Sequence, residues 1–337
     1  MTVSVIVPAY QAADDLRVCL AALDASTYAP LEVIIVDDGS IDDTADVVRQ
    51  ARVTSLRVAD GPRGPAVARN QGAGAARGDV LVFLDADVAV HPDTLARLVG
   101  YLERQPDVSA VFGSYDDQPT HRNIASRYRN LLHHFVHQHA EREATTFWAG
   151  CSAVRRDAFL SVGGFDTRYR RPSIEDIELG GRLRSAGHRV WLCADVQVRH
   201  MKRWTFASII RTDVLHRAIP WSRLIVSQRR MPADLNTALS HRVSAVVAWM
   251  TVLALLMIVA SSTFVWVVLA GLLLLGMLNA RLYMFFIRQG GLRFPVAAVA
   301  LHVLYLLYSS AVFGYVALAS LLRRAGACFA QVPGESR

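Results

Sequence analysis

The chain has 337 residues, 53% of them hydrophobic and 19% charged, which excludes a disordered chain and is unusual for a soluble protein. Its formal charge of +7 divides into a net of −5 over residues 1–198 and +12 over residues 199–337, so the basic balance does not indicate an N-terminal domain that binds nucleic acid. The four cysteines form no C-x-x-C pair, which argues against a disulfide scaffold or a zinc site built on cysteine.

Residues 1–198 alternate short β-branched runs with helical patterns, which predicts an α/β domain with a mostly parallel, Rossmann-like sheet. The predicted strands cover residues 3–7, 33–36, 56–58 and 80–84. The predicted helices cover a stretch through Leu16, Leu20 and Leu23, residues 43–50 and 66–76, a helix opened by His91-Pro92-Asp93, and residues 123–140. Ligands of such sheets bind at the carboxyl ends of the strands, so functional residues are expected there.

Residues 199–242 interleave basic side chains with tryptophan and aliphatic residues. The basic residues are Arg199, Lys202, Arg203, Arg211, Arg217, Arg223, Arg229, Arg230 and Arg242. This mixture predicts amphipathic helices in a membrane interface, with an amphipathic helix packed on the α/β domain as the alternative.

Residues 243–322 have the composition of a transmembrane region. Residues 243–280 contain no charged residue and no histidine, and residues 294–322 contain one histidine. Since a span needs about 20 apolar residues, about three spans are predicted, with a turn near Ser261 and a tail over residues 323–337. The positive-inside rule then places the α/β domain and the loop with Arg288 and Arg293 on the cytoplasmic side of a cell inner membrane, whereas Arg323 and Arg324 fall on the far side.

Two acidic pairs follow predicted strands. Asp37 and Asp38 follow the second strand, and Asp85 and Asp87 follow the fourth. Since Mg²⁺ and Mn²⁺ are held by a few carboxylates together with substrate phosphates, the pairs predict a metal-assisted phosphate site. Ordinary turn chemistry at strand ends is the alternative for either pair alone.

A third acidic group, Glu175, Asp176 and Glu178, stands at the start of a helical pattern. The helix dipole favours acids in this position. We predict in addition that Asp176 is a general base that deprotonates an acceptor hydroxyl, with Glu175 orienting its neighbours.

Together these segments resemble the family 2 glycosyltransferases over residues 2–204. The matching segments, in order, are Val5-Ile6-Val7-Pro8-Ala9-Tyr10, Asp37-Asp38-Gly39-Ser40, Ala68-Arg69-Asn70 with Gly72, Asp85 with Asp87, Gly163-Gly164-Phe165-Asp166, and Glu175-Asp176. The resemblance implies a GT-A fold and an inverting, Mg²⁺- or Mn²⁺-dependent transfer of a sugar, such as a hexose, from a nucleotide-diphosphate donor.

The resemblance also implies roles for individual residues. Pro8, Tyr10 and Asp38 would line the nucleoside pocket, with Arg69 and Asp85 near the donor. Asp87 would ligate the metal together with Asp85, and Asp176 would be the base.

Two further segments are similar to parts of the family. His200-Met201-Lys202-Arg203-Trp204 is similar to a Q-x-x-R-W segment of polysaccharide synthases. The similarity implies His200 as a third metal ligand, Arg203 near the diphosphate and Trp204 near the acceptor or membrane, with a histidine satisfied by local hydrogen bonds as the alternative for His200. The segment with Trp148 and Gly150 would border the donor sugar and acceptor, with Trp148 either stacked on a sugar or packed in the core beside a strand.

The predicted helix over residues 123–140 carries four histidines, of which His133 and His137 share a face. A metal site, a face toward an anionic acceptor headgroup, and a solvated or hydrogen-bonded helix face are the three interpretations.

The leading hypothesis is a membrane-bound glycosyltransferase with a lipid-linked acceptor, membrane lipids as partners and no nucleic acid. A processive polysaccharide synthase and a non-catalytic membrane subunit that binds nucleotide sugar are the alternatives. A dinucleotide oxidoreductase is set aside because the segment after the first strand lacks G-x-G-x-x-G.

Overall fold

The computed structural model describes residues 1–30, 32–228 and 239–330, with side chains described as far as residue 323. The chain divides into two compact units, Met1–Phe206 and Ala207–Arg337. Arg229 and Arg230 of the predicted interfacial segment, and residues 331–337 of the predicted tail, lie outside the described residues.

The first unit alternates strands and helices. The strands are β1 (Val3–Ala9), β2 (Glu32–Asp37), β3 (Thr54–Arg57), β4 (Val80–Leu84), β5 (Val88–Val90), β6 (Val108–Tyr115), β7 (Glu143–Ala144), β8 (Cys151–Arg155) and β9 (Arg189–His200). The helices are α1 (Ala13–Asp24), α2 (Thr44–Gln50), α3 (Pro65–Ala75), α4 (Thr94–Arg104), α5 (Ile124–His139), α6 (Arg156–Ser161) and α7 (Glu175–Ser185). The predicted α/β class is confirmed.

These strands form one sheet in the order β3-β2-β1-β4-β8-β6-β9-β5, with β7 paired to β9. The predicted parallel arrangement is confirmed for β3, β2, β1 and β4. The other half is mixed, because β8 runs antiparallel to both of its neighbours, β4 and β6. The sheet as a whole is therefore mixed, with its run of parallel strands in the half formed by β3, β2, β1 and β4.

Apolar runs explain why β1 and β4 lie at the centre of this sheet. All five residues of β4 are buried, as expected for a strand covered by helices on both faces. One core layer includes Leu16 of α1 and Leu98 of α4, and the other includes Ala68 of α3 and Leu179 of α7. The acidic residues that follow β2 and β4 consequently emerge at one edge of the sheet.

The second unit is helical over its described residues. Its elements are α8 (Phe206–Arg211), which begins at the last residue of the first unit, a π-helical segment (Thr212–Ala218), α9 (Ile219–Gln228), α10 (Leu239–Met257), α11 (Phe264–Leu278), α12 (Ala280–Arg288) and α13 (Arg293–Ala330). Within the described residues, α10 and residues 293–323 are long and apolar enough to cross a membrane. The helices α11 and α12 meet at a bend of 74° and pass the same test together, so the unit has two candidate spans, or three if the bent pair is one span.

Candidate active site

The carboxyl end of β2 is fixed by its two aspartates. Asp37 accepts hydrogen bonds from the Ser40 amide (2.8 Å) and from the Arg57 guanidinium (2.7 Å). The two carboxylate oxygens of Asp38 accept the backbone N–H groups of Arg63 (2.8 Å) and Gly64 (2.7 Å). Asp38 therefore holds the segment before α3 against the end of β2.

Two predicted nucleoside-binding residues, Pro8 and Tyr10, lie at the carboxyl end of β1, the strand next to β2. Pro8 is half-buried in β1 and pairs in register with Val36 of β2. Tyr10 follows β1, and 48% of it is exposed. The tyrosine ring is thus accessible beside the strand ends, which its predicted role requires.

Arg69 of α3 connects the acid after β4 with the first turn of α7. Its Nη2 donates to Asp85 Oδ1 (2.6 Å) and its Nη1 donates to Glu175 Oε1 (3.0 Å). Only 5% of Arg69 is exposed, yet the two carboxylates keep it charged, since they raise the pKa of the guanidinium although burial opposes this. Acidic residues that are 90 positions apart in the chain therefore share one buried cation.

The predicted base, Asp176, lies next to this bridge. Its Oδ2 accepts the Ala149 amide (3.2 Å), and its Oδ1 accepts the Ile177 amide (2.8 Å). Burial and the negative charge of Glu175 raise the pKa of Asp176 to about 7, against the effect of Arg69. The Asp85 amide donates to the carbonyl of Gly150 (3.2 Å), so Asp85 and Asp176 are both hydrogen-bonded to the same short segment.

Asp87 faces two basic groups. Its Oδ2 lies 3.7 Å from His200 Nε2 and 3.9 Å from Lys202 Nζ. Burial would raise the pKa of Asp87, but His200 and Lys202 outweigh it and lower this pKa to about 2. The carboxylate is therefore ionised throughout the physiological range.

The predicted metal-ligand trio of Asp85, Asp87 and His200 is not gathered around one point. Across the described ranges, no three His, Cys, Asp or Glu side chains are grouped as metal ligands. Two contacts account for this, because Asp85 is hydrogen-bonded to Arg69 and the imidazole of His200 stacks on Tyr115 with 4.1 Å between ring centroids. Asp87 and His200 remain adjacent, whereas Asp85 points to a different partner.

Trp148 occupies space that Gly150 leaves open. A Cβ atom on Gly150 would overlap the indole ring of Trp148. The half-buried indole also packs edge-on against Tyr115, with ring centroids 4.9 Å apart, and against His133 at 4.8 Å. Trp148 is thereby held beside Ala149, whose amide binds the predicted base.

The two residues predicted after β9 have different surroundings. Arg203 is exposed. Trp204 is buried, its amide donates to the Ser126 hydroxyl (2.8 Å), and Lys202 Nζ lies 4.9 Å from the centre of its ring. Trp204 therefore packs against the first turn of α5, and its contact with an acceptor stays a prediction.

Three of the four histidines of α5, His133, His134 and His137, are at least partly buried, whereas His139 is exposed. His137 Nδ1 bonds to the Gly113 carbonyl (3.1 Å), and His134 Nδ1 bonds to the Tyr115 carbonyl (2.7 Å). The hydrogen-bonded interpretation of this helix therefore describes His134 and His137. Tyr115 itself was not predicted as a site residue, although the buried neighbours of the histidines, Leu131, Leu132 and Val136, could have indicated that this face packs against a strand end.

Gly180 allows α7 to lie close to the backbone of Thr146 and Phe147, and replacing this glycine is expected to lower the stability of the protein. A Cβ atom at Gly180 would overlap the backbone of Thr146 and Phe147, so Gly180→Ala should destabilise the protein by about 1–3 kcal/mol through overpacking. Gly181 is the matched control, because it lies on the same helix with open space around its Cβ position. Gly181→Ala should stabilise by about 0.5–1 kcal/mol through helix propensity. Thermal unfolding of both variants tests this, and equal unfolding temperatures would contradict it.

The chain matches known glycosyltransferases. The family described as Glycosyl transferase family 2 matches residues 4–163, and the family described as the N-terminal domain of galactosyltransferase matches residues 129–204. An O-antigen chain rhamnosyltransferase of Salmonella typhimurium is 28% identical over 241 residues, which are 66% of this chain and 74% of the relative. A glucosyl-dolichyl phosphate glucuronosyltransferase of Haloferax volcanii is 30% identical over 189 residues, which are 53% of this chain and 60% of the relative.

Solved structures show the same fold. A mannosyltransferase of Pyrobaculum calidifontis in complex with GDP-Man and Mn²⁺ has a TM-score of 0.54 at 21% identity, covering 92% of this chain and 86% of that chain. A fragment of S. aureus TarS in complex with UDP-GlcNAc has a TM-score of 0.54 at 18% identity, covering 72% of this chain and 70% of that chain. The first unit is thus a GT-A glycosyltransferase domain. Residues 4–163, just under half of the chain, thus resemble the family 2 glycosyltransferases, and both relatives named above are glycosyltransferases.

Proposed function

We propose that the chain is an inverting enzyme that transfers a hexose from a nucleotide-diphosphate donor to a hydroxyl or phosphate of a lipid-linked acceptor, at the cytoplasmic face of the cell inner membrane. The observation that carries the proposal is the bridge from Arg69 to Asp85 and Glu175. Arg69 is shared by Asp85, the predicted donor-binding acid, and by Glu175, which lies in the same helical turn as the predicted base Asp176.

Inversion at an anomeric carbon needs a base on the acceptor side and a stabilised leaving group on the other side. Asp176 supports the first task, because its raised pKa matches the pH at which it would accept a proton from a hydroxyl. If the acceptor is already an ionised phosphate, no base is needed, and Asp176 could hydrogen-bond to it only in its protonated form. One carboxylate cannot easily serve both sides, so the acids after β4 would serve the donor.

On the donor side, Pro8, Tyr10 and Asp38 would line the nucleoside pocket. Tyr10 offers an exposed ring for stacking, and Asp38 fixes the loop with Arg63 and Gly64 beside it. Arg203 is exposed, so its guanidinium is free to approach the diphosphate.

Asp87, the second acid after β4, would hold a divalent cation of the Mg²⁺ or Mn²⁺ type. Such ions are held by one or two carboxylates together with substrate phosphates, so Asp87 would suffice with the diphosphate, and His200 would add a ligand next to it, whereas Asp85 is hydrogen-bonded to Arg69. When bound, the cation would stabilise negative charge on the departing diphosphate. Lys202, 3.9 Å from Asp87, adds a fixed positive charge to the same region.

The lipid-linked acceptor is supported by the composition of the chain. Residues 207–323 supply two or three candidate spans, which a protein acting on a soluble acceptor would not need. Trp148, Gly150 and Trp204 would border the acceptor. The half-buried indole of Trp148 lies beside Ala149, which binds the base, and is suited to stack on a sugar face.

Reconstitution in lipid vesicles tests the proposal. The full chain is incubated with UDP- and GDP-linked hexoses and Mn²⁺, and release of nucleoside diphosphate is measured together with the sugar recovered in the organic phase. Transfer of one sugar, of inverted anomeric configuration, to an extractable lipid is the expected result. Retention of configuration would overturn the inverting mechanism, and activity unaffected by EDTA would overturn the metal role.

The same assay separates the alternatives. A ladder of products would favour a processive synthase, and equal transfer to soluble and lipid acceptors would remove the lipid-linked substrate from the proposal. Binding of nucleotide sugar without turnover for any donor and acceptor would favour a non-catalytic subunit.

The pH dependence follows from the environment of Asp176 if the acceptor group is a hydroxyl. Because the pKa of Asp176 lies near 7, kcat/KM should fall as the pH drops through about 7 and the base becomes protonated. Glu175→Gln removes a neighbouring negative charge, so it should lower that pKa and move the acidic limb to lower pH. Glu178→Gln, in the same helical turn but paired with Arg182, is the control and should leave the limb in place. A limb that does not move in Glu175→Gln would contradict the assignment.

A further inference from the structure

Partway along β9, the even-numbered side chains change from one face of the sheet to the other. Val190, Leu192 and Ala194 lie in one core layer, whereas Val196 and Val198 lie in the opposite layer. Since alternate residues of a regular strand share a face, an irregularity must separate Ala194 from Val196. The pairing between β6 and β9 shows it, because the register moves from Phe112–Leu192 to Ser114–Gln197.

This irregularity brings the end of β9 to the side of the sheet where Tyr115 lies. Bulges near active sites commonly re-aim side chains in this way. Gly113 makes room for it, because a Cβ atom at that position would overlap the carbonyl oxygen of Val196. His200, which continues the alternation of Val196 and Val198, consequently meets Tyr115 at the end of β6.

Three rings hold the phenol ring of Tyr115 in place. The imidazole of His200 stacks on it with centroids 4.1 Å apart and planes inclined by 13°. The imidazole of His133 lies 4.3 Å away, and the indole of Trp148 meets the ring edge-on at 4.9 Å. Tyr115 is only 9% exposed, so its ring is held in place by its neighbours rather than moving as a surface group.

We propose that Tyr115 is a positioning residue for His200. The stacked phenol ring fixes the plane of the imidazole, and with that plane the direction of Nε2, which lies 3.7 Å from Asp87 Oδ2. The inference rests on the proposed function, in which Asp87 and His200 serve the divalent cation. Partners that orient metal ligands are worth about 10–100-fold in metal affinity, so loss of the flat ring should be measurable at this level.

The test measures Mn²⁺ binding by the full chain in detergent, with saturating UDP or GDP present because a diphosphate completes the proposed site, and follows the electron paramagnetic resonance signal of the free ion. Tyr115→Leu removes the flat ring and should weaken Mn²⁺ binding by about 10-fold or more. Tyr115→Phe keeps the ring and should bind Mn²⁺ as the wild type does. Phe112→Leu makes the same aromatic-to-aliphatic change on the opposite face of β6 and should leave Mn²⁺ binding unchanged.

Asp87→Asn separates failure of the inference from failure of the proposed metal role. If Asp87→Asn weakens Mn²⁺ binding and Tyr115→Leu does not, the positioning role is overturned and the metal role stands. If neither the wild type nor any variant binds Mn²⁺, or if Asp87→Asn binds normally, both are overturned. Equal weakening by Tyr115→Leu and Phe112→Leu, or by Tyr115→Leu and Tyr115→Phe, also overturns the positioning role. Tyr115→Met, whose flexible side chain fills core gaps, replaces Tyr115→Leu if that variant does not fold.

Discussion

Asp176→Asn is expected to lower kcat for transfer to a hydroxyl by about 10²- to 10⁴-fold, because the amide cannot take a proton from the acceptor. The asparagine oxygen can still accept the Ala149 amide, but the amide nitrogen cannot accept the Ile177 amide, so one of the two backbone hydrogen bonds is lost. Turnover by the purified full chain, with donor and acceptor saturating, measures the effect. Glu178→Gln is the matched control, because Glu178 lies in the same turn but is paired with Arg182 at 2.7 Å.

The stability of this variant distinguishes lost chemistry from lost folding. The pKa of Asp176 is raised in the folded state, so its stabilising contribution is greatest below its unfolded pKa and disappears as the pH rises through about 7. Asparagine carries no charge at any pH. Asp176→Asn should therefore raise the unfolding temperature relative to wild type at pH 8, and less so at pH 5. Turnover within 10-fold of wild type would remove Asp176 from the role of base.

The first half of the sheet could be predicted because each element carries its own signal. The buried runs that form β1, β2 and β4 are apolar in the sequence, and Asp38, Asp85 and Asp87 directly follow two of them. Parallel strands place their carboxyl ends at one edge, so the convergence of these acids follows from the pattern alone.

The second half depends on contacts that no local pattern encodes. The antiparallel entry of β8 between β4 and β6 is a long-range pairing, and the register shift in β9 reflects a close backbone approach at Gly113. The position of Tyr115 follows from both. For this reason the sequence does not indicate Tyr115 as a site residue, although it does indicate His200, on which Tyr115 stacks, as a candidate metal ligand.

The acids of the site could be identified from the sequence, but their partners could not. The position of Arg69 near the donor stays a prediction, and the structure adds that its buried side chain joins Asp85 to Glu175. An arginine inside a small-residue helix gives no indication of which of several acids it will meet. Such choices are made by the packing of α3 against the sheet, where Gly72 lies close to Ile6.

Arg69→Met is expected to destabilise the protein by about 3–5 kcal/mol, the largest stability effect predicted for this chain. Removing the guanidinium leaves Glu175, whose side chain is only 5% exposed, as a buried carboxylate without its cation. Arg69→Lys should restore little of this, because the donors of an ammonium share one nitrogen, whereas Arg69 bonds to Asp85 and Glu175 through two different nitrogens of its planar guanidinium. Thermal and urea unfolding of the full chain in detergent provide the measurement.

A double substitution tests whether the uncompensated charge of Glu175 causes the loss of stability in Arg69→Met. Arg69→Met combined with Glu175→Gln removes the uncompensated charge together with its partner, so it should be more stable than Arg69→Met alone. The pair of Arg168 and Asp166 is the control, because the arginine side chain is 88% exposed, so Arg168→Met should cost about 0–1 kcal/mol. If the double variant is no more stable than Arg69→Met, the bridge to Glu175 is not what stabilises this region, and the link between Asp85 and the turn that bears Asp176 loses its physical basis.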